Sequence, residues 1–162
     1  MSYKKKHTEE FVVNEPVGLY ITKPSSNLFY WLLGGGQNIT SDYDVLQLSR
    51  NGLPKNMLLM LAQKISITIQ ELANIMHISE RTLQRYEGDA IVKSEYAEKA
   101  VELARLYTRG EEVFGSIDKF KLWMKTPLIV FKGETPLSLL DTSAGFNIVF
   151  RELGRIEHGI FV

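Results

Sequence analysis

Residues 69–86 constrain the fold more than any other stretch, because their apolar side chains repeat with the period of two short helices. The apolar positions of the two helices are Leu72, Ala73, Met76, Leu83 and Tyr86. Only the dipeptide His77-Ile78 separates the helices, and the small residue Ala73 stands where they would cross closely. The pattern therefore predicts a tightly connected helix pair.

This pair resembles the helix-turn-helix, whose second helix enters the major groove of DNA. The turn position usually held by glycine is His77, and histidine tolerates positive φ better than a β-branched residue does. Arginine and glutamine read bases by paired hydrogen bonds, whereas residues at the start of the first helix contact phosphates. The candidate DNA-binding residues are Thr68, Gln70, Ser79, Arg81, Thr82, Gln84 and Arg85.

The charge balance gives DNA binding no support from bulk electrostatics. The chain has 19 Lys and Arg against 19 Asp and Glu, which gives no net charge. Cationic surfaces supply much of the affinity for DNA, so binding here must depend on local geometry. On the alternative interpretation, Arg81 and Arg85 are an i, i+4 pair on a solvated face, balanced by Glu80 and Glu87.

Residues that start and stop helices divide the chain from residue 41 onward, and no strand alternation competes with them. We expect Gly110 to follow the end of a long helix, Ser116 and Ser143 to cap two later helices, and Gly154 to interrupt the last. The predicted helices are 41–49, 54–65, 68–76, 79–87, 94–108, 117–124, 136–140 and 143–156. The sequence thus predicts an all-α fold.

Residues 1–40 are the least regular part of the chain. Residues 17–21 are a possible short strand, and Leu28–Leu33 is a dense apolar patch closed by three glycines. We expect this patch to dock on the chain's own core or on a partner. It is far shorter than the roughly 20 residues that span a bilayer.

Several classes of site are excluded or disfavoured by composition. The chain has no cysteine, which rules out disulfides, thiolate metal sites and cysteine nucleophiles. The three histidines, widely separated, are His7, His77 and His158. We therefore expect no metal, no cofactor and no catalytic residues. No secretory signal is evident, and a cytoplasmic location is expected.

The last third of the chain carries longer motifs. The informative segments are TP at 126–127, KGETPLSLLDTSAG at 132–145, LGRIEHGIF at 153–161, GLP at 52–54, SERTL at 79–83 and WM at 123–124. Together they resemble the Xre/MbcA/ParS-type antitoxins over residues 41–162. The resemblance implies an Xre-like helix-turn-helix bundle (41–110) and a small helical toxin-binding domain (111–162). Residues 1–40 lie outside the resemblance, and we expect them to form a partly ordered N-terminal extension.

The resemblance also implies the partners. The family pairs with RES-type toxins, which consume NAD, and the last helix and tail of the antitoxin cover the NAD pocket of the toxin. The candidate toxin-binding residues are Arg151, Arg155, Ile156, Glu157, His158, Gly159, Ile160, Phe161 and Val162. On the alternative interpretation, Phe161 packs on the chain's own core and His158 caps the helix.

The resemblance further implies antitoxin dimers bound to their own operator DNA. We expect a homodimer because such modules read paired half-sites, and the Leu28–Leu33 patch is one candidate interface. Two other functions remain open. One is a stand-alone helix-turn-helix transcription regulator without a toxin, and the other is a ParS-like accessory protein that acts through protein contacts alone.

Overall fold

Helices make up nearly all the regular structure in residues 27–34, 39 and 41–159, the part of the chain that this computed structural model describes. The α-helices are α1 (Asn27–Leu33), α2 (Asp42–Asn51), α3 (Lys55–Lys64), α4 (Ile69–Met76), α5 (Glu80–Arg85), α6 (Ser94–Phe114), α7 (Ile117–Met124) and α8 (Ser143–Glu157). Two 3-10 helices cover Ile129–Phe131 and Leu137–Asp141, and two strands cover Leu53–Pro54 (β1) and Ile91–Val92 (β2). The predicted all-α fold class is confirmed.

Helix α6 is the centre of the core, and all the longer helices pack against it. One face of α6 is an apolar stripe, and this stripe is buried. The members of that stripe are Ala97, Ala100, Val101, Ala104 and Tyr107. Burial also raises the pKa of Tyr107 well above its usual range, because the phenolate would lose its hydration. Because helices from both halves of the chain pack on α6, this helix supports both the N-terminal and the C-terminal elements.

The expectation that Gly110 follows a helix end is wrong. Helix α6 runs on to Phe114, and Gly115 ends it with a φ of 68°. A Cβ atom at Gly110 would lie 2.3 Å from the ring of the fully buried Phe120. The glycine is therefore where α7 approaches α6 most closely, and the predicted domain boundary at residue 110 falls inside a continuous helix.

Four further local predictions are corrected. Thr142 caps α8 in place of Ser143, since its Oγ accepts from the Gly145 N–H at 3.0 Å. Ser116 precedes α7 without a capping hydrogen bond from its side chain. Gly154 lies inside α8, because a helix-interior glycine costs only about 1 kcal/mol and packing overrides it. Residues 137–141 form a 3-10 helix where an α-helix was expected.

The two strands form a small antiparallel sheet, with Leu53 opposite Val92 and Pro54 opposite Ile91. Pro54 thus precedes α3 in an extended conformation, whereas the sequence placed it in the first helical turn. Strands of two residues are too short to show an alternating pattern. The sheet joins the start of α3 to the segment that follows α5.

The apolar patch Leu28–Leu33 docks on its own chain. Phe29, Leu32 and Leu33 are buried, and α1 packs on α6 and α3. Most of the predicted dimer patch is therefore used inside one copy.

Residues 17–21 lie outside the described residues. None of the helices in the described ranges is long and apolar enough to cross a membrane.

Candidate functional site

The predicted helix pair is formed by α4 and α5. His77 ends α4 in the left-handed conformation, with φ 53° and ψ 39°, as the sequence predicted. The Ile78 N–H donates to the Ala73 carbonyl at 3.0 Å and closes the turn. Helix α5 has only six residues, because the extended backbone of Tyr86 ends it two residues earlier than predicted. The geometry is that of a compact helix-turn-helix.

The three candidate DNA-binding residues that carry a hydroxyl group stabilise the first turns of α4 and α5. The Thr68 hydroxyl accepts from the Glu71 N–H at 3.1 Å and caps α4. The Ser79 hydroxyl accepts from the Thr82 N–H at 3.0 Å and caps α5. The Ser79 and Thr82 hydroxyls also share a hydrogen bond of 2.6 Å. The hydroxyl groups of these three residues therefore have a structural role within the helix pair.

The remaining candidates lie on the outer surface of the pair. Gln70, Arg81, Gln84 and Arg85 are exposed. The Gln84 side chain donates to Glu80 at 3.2 Å. Within the described ranges, neither Arg81 nor Arg85 forms an ion pair with Glu80 or any other carboxylate. Both guanidinium groups are therefore available to an anionic partner.

Lys55, at the start of α3, holds the C-terminal end of α5. No pattern in the sequence predicted this role. Its ammonium donates to the carbonyl of Gln84 at 3.2 Å and to that of Tyr86 at 2.6 Å. A cation at a helix C-terminus satisfies open carbonyls and stabilises the helix dipole. Because Lys55 and Gln84 are 29 residues apart, no local signal could have revealed the contact.

The C-terminal candidates lie on α8, which runs beside α6. The ammonium of Lys99 lies 4.7 Å from the ring centre of Phe146 near the start of α8. At the other end, Arg109 of α6 forms an ion pair with Glu157. The helix is thus held to α6 near both of its ends. Glu157, predicted to contact the toxin, is occupied by this pair.

The other predicted toxin-binding residues differ in exposure. Arg151, His158 and Gly159 are exposed, whereas Ile156 is half-buried and Arg155 pairs with Glu152 at 3.4 Å. The predicted residues Ile160, Phe161 and Val162 lie outside the described residues. Helix α8 thus presents a row of polar side chains that ends in a turn at Gly159, whose φ is 67°.

The helix pair and the C-terminal elements are in direct contact. The Nε2 atom of His77 donates to the Asp141 carbonyl, and Lys125 pairs with Glu71 at 3.7 Å. An open polar groove of about 570 Å³ lies beside this contact, between α4 and the second 3-10 helix. No cluster of three or more potential metal ligands occurs in the described parts of the chain. The two candidate surfaces are thus in direct contact with each other.

Comparison with known proteins bears on both surfaces. Residues 44–105 match the family described as the antitoxin Xre-like helix-turn-helix domain. Residues 109–159 match the antitoxin Xre/MbcA/ParS C-terminal toxin-binding domain.

Three curated relatives carry the name Antitoxin Xre. The Pseudomonas putida protein is 28% identical over 75% of this chain and 76% of its own length. The Yersinia enterocolitica protein is 33% identical over 59% of this chain and 66% of its own length. The Photorhabdus laumondii protein is 33% identical over 48% of this chain, and the match spans about half of that relative, 53%.

Proposed function

Because the chain belongs to the Xre/MbcA/ParS family of antitoxins, we propose that it neutralises a RES-type toxin by covering the toxin's NAD-consuming site, and that it regulates its own operon. Both matched domains are binding modules, and the protein is not an enzyme. Inhibition therefore needs no chemistry from this chain. It needs a surface that is held in place and a segment that enters the pocket of the toxin.

The attachment of α8 carries the proposal for the toxin. The helix is fastened to α6 through Lys99 and Phe146 at one end and through Arg109 and Glu157 at the other. Three apolar residues, 160–162, follow the turn at Gly159. Because the helix end that carries these residues is held in place, less ordering entropy opposes binding. Arg151 and His158 are exposed nearby in sequence and are the polar contacts we expect.

A pull-down tests whether the partner is a toxin. We expect the tagged chain to retain the product of the neighbouring gene through gel filtration at physiological salt. The matched comparison is the full-length variant Arg151→Glu with His158→Glu, which changes two exposed side chains of this region and leaves the buried face of α8 intact. Equal retention by both proteins would contradict binding through α8, and no retention by the unaltered chain would favour a regulator without a toxin.

The DNA-binding proposal concerns the outer surface of α5. Arg81 and Arg85 are exposed and make no ion pair with other described residues, which supports contact with an anionic partner. Since the whole chain has no net charge, we expect affinity to come from two helix pairs in a homodimer. Such dimers place their recognition helices one turn of DNA apart, about 34 Å. The operator would then contain two matching half-sites.

Replacing both arginines tests this surface. We expect Arg81→Ala with Arg85→Ala to lower operator affinity roughly 30-fold or more, because each base contact contributes about 1–3 kcal/mol. Fluorescence anisotropy with the operator fragment measures the change. The control is Lys119→Ala with Lys132→Ala, which removes the same charge from exposed positions elsewhere. Equal losses in both variants would indicate a general charge effect and contradict a recognition helix.

A further inference from the structure

A closed loop of residues 128–134 joins α7 to the second 3-10 helix. Five backbone hydrogen bonds close it on itself, and all of them are between 2.9 and 3.1 Å long. The outermost of them joins the Leu128 N–H to the Glu134 carbonyl at 3.0 Å. Lys132 and Gly133 both have positive φ, 56° and 88°, which reverses the chain tightly. The backbone of this loop is therefore held in one conformation by its own hydrogen bonds.

One side chain anchors the loop to the core. Phe131 is buried, and its ring lies 6.4 Å from that of Trp123 in an edge-to-face contact. Trp123 in turn stacks on the buried Phe120 at 5.6 Å. Such aromatic contacts add about 1 kcal/mol beyond burial. The loop is thus fixed to α7, whereas the end of α8 is fixed to Arg109 of α6.

The tip of the loop is apolar and exposed. Ile129 is 98% exposed and Val130 is 50% exposed, while Leu122 on the preceding helix is 71% exposed. Single apolar residues on a surface are ordinary, but two consecutive β-branched residues on a closed, anchored loop are not explained by the chain's own packing. Rigid apolar side chains lose little entropy when they enter a partner's recess.

The loop carries charges of both signs beside its apolar tip. Lys132 and Glu134 are both exposed, and neither forms an ion pair with another described residue. A recess that is apolar at its centre and polar at its rim would match this surface. Because the loop lies within residues 109–159, which match the toxin-binding domain, the toxin is the partner that we assign to it.

We propose that loop 128–134 is a second docking site for the toxin, an anchor distinct from residues 160–162. This site rests on the proposed function, and it lies within the segment that matches the toxin-binding domain. The two sites have different roles in binding the toxin. Residues 160–162 block the active site of the toxin, and the loop contributes affinity without touching that site.

A paired substitution tests the anchor. We expect Ile129→Gln with Val130→Gln to raise the Kd for the neighbouring gene product roughly 30-fold, since buried anchors dominate interface energies. At saturating concentrations the variant should still stop NAD consumption completely, because residues 160–162 are unchanged. The matched control is Ile91→Gln, a 57% exposed isoleucine in the helix-turn-helix half, which should leave the Kd unchanged. Calorimetry gives the Kd, and thermal unfolding checks that both variants fold.

Each other outcome overturns something specific. An unchanged Kd in the paired variant overturns the anchor. An unchanged Kd with loss of self-association shows that a second copy occupies the loop, which also overturns it. If the unaltered chain does not bind its neighbour at all, the proposed function and the anchor both fall. If it binds a neighbour that does not consume NAD, only the RES assignment falls, and the Kd comparison still decides on the anchor.

Discussion

Removal of residues 160–162 is expected to weaken inhibition of the toxin roughly a hundredfold or more, because a few residues inserted in a pocket carry most of an interface's energy. The free energy of unfolding should hardly change. Helix α8 is complete without these residues: the His158 N–H donates to Gly154 at 3.2 Å, and the Gly159 N–H donates to Ile156 at 3.0 Å. The measurement is NAD consumption by the toxin at increasing antitoxin concentration.

A length-matched control separates the apolar character of the segment from its mere presence. Replacing Ile160, Phe161 and Val162 with serine keeps the length of the chain and should inhibit as poorly as the truncation. The ion pair between Arg109 and Glu157 remains in both variants, so α8 stays attached. Inhibition by the truncated chain at the level of the full chain would contradict a blocking role for the segment.

Gly145→Ala is expected to destabilise the fold by at least about 3 kcal/mol, at the upper end of overpacking effects. A Cβ atom there would lie 1.7 Å from the carbonyl oxygen of Leu139. That oxygen belongs to the backbone of the second 3-10 helix and cannot rotate away. The 3-10 helix would be pushed from α8, and the contact between His77 and Asp141 would be strained.

Gly154→Ala in the same helix is the matched control. Nothing lies within 4 Å of a Cβ atom at Gly154, and its backbone is helical. Alanine there should stabilise the protein by about 0.5–1 kcal/mol, because the unfolded chain loses freedom. Chemical unfolding of both variants gives the comparison. Equal stability of the two would contradict the close packing of α8 on the 3-10 helix.

The sequence predicted the features that depend on neighbouring residues. The turn between α4 and α5 was predicted in place, with the positive φ of His77, because a helix end and its cap are encoded within a few residues. The start of α6 at residue 94 was also predicted, because it depends on the local sequence. The cap of α8 was misplaced by one residue, since Thr142 and Ser143 are both good caps.

The sequence could not predict features that join distant parts of the chain. Gly110 reads as a helix end until the ring of Phe120 is known to lie against it. Glu157 looked like a free partner contact because its ion pair with Arg109 crosses 48 residues. The exposed tip at Ile129 depends on the closed backbone of its loop, which becomes apparent only in the fold.

Inhibition of the toxin can be measured directly as NAD consumption by the purified product of the neighbouring gene. We expect this protein to consume NAD, and we expect the antitoxin chain to stop the consumption once every toxin binding site is occupied. Sustained consumption with the complex fully formed would contradict the claim that this antitoxin acts by covering the active site of the toxin.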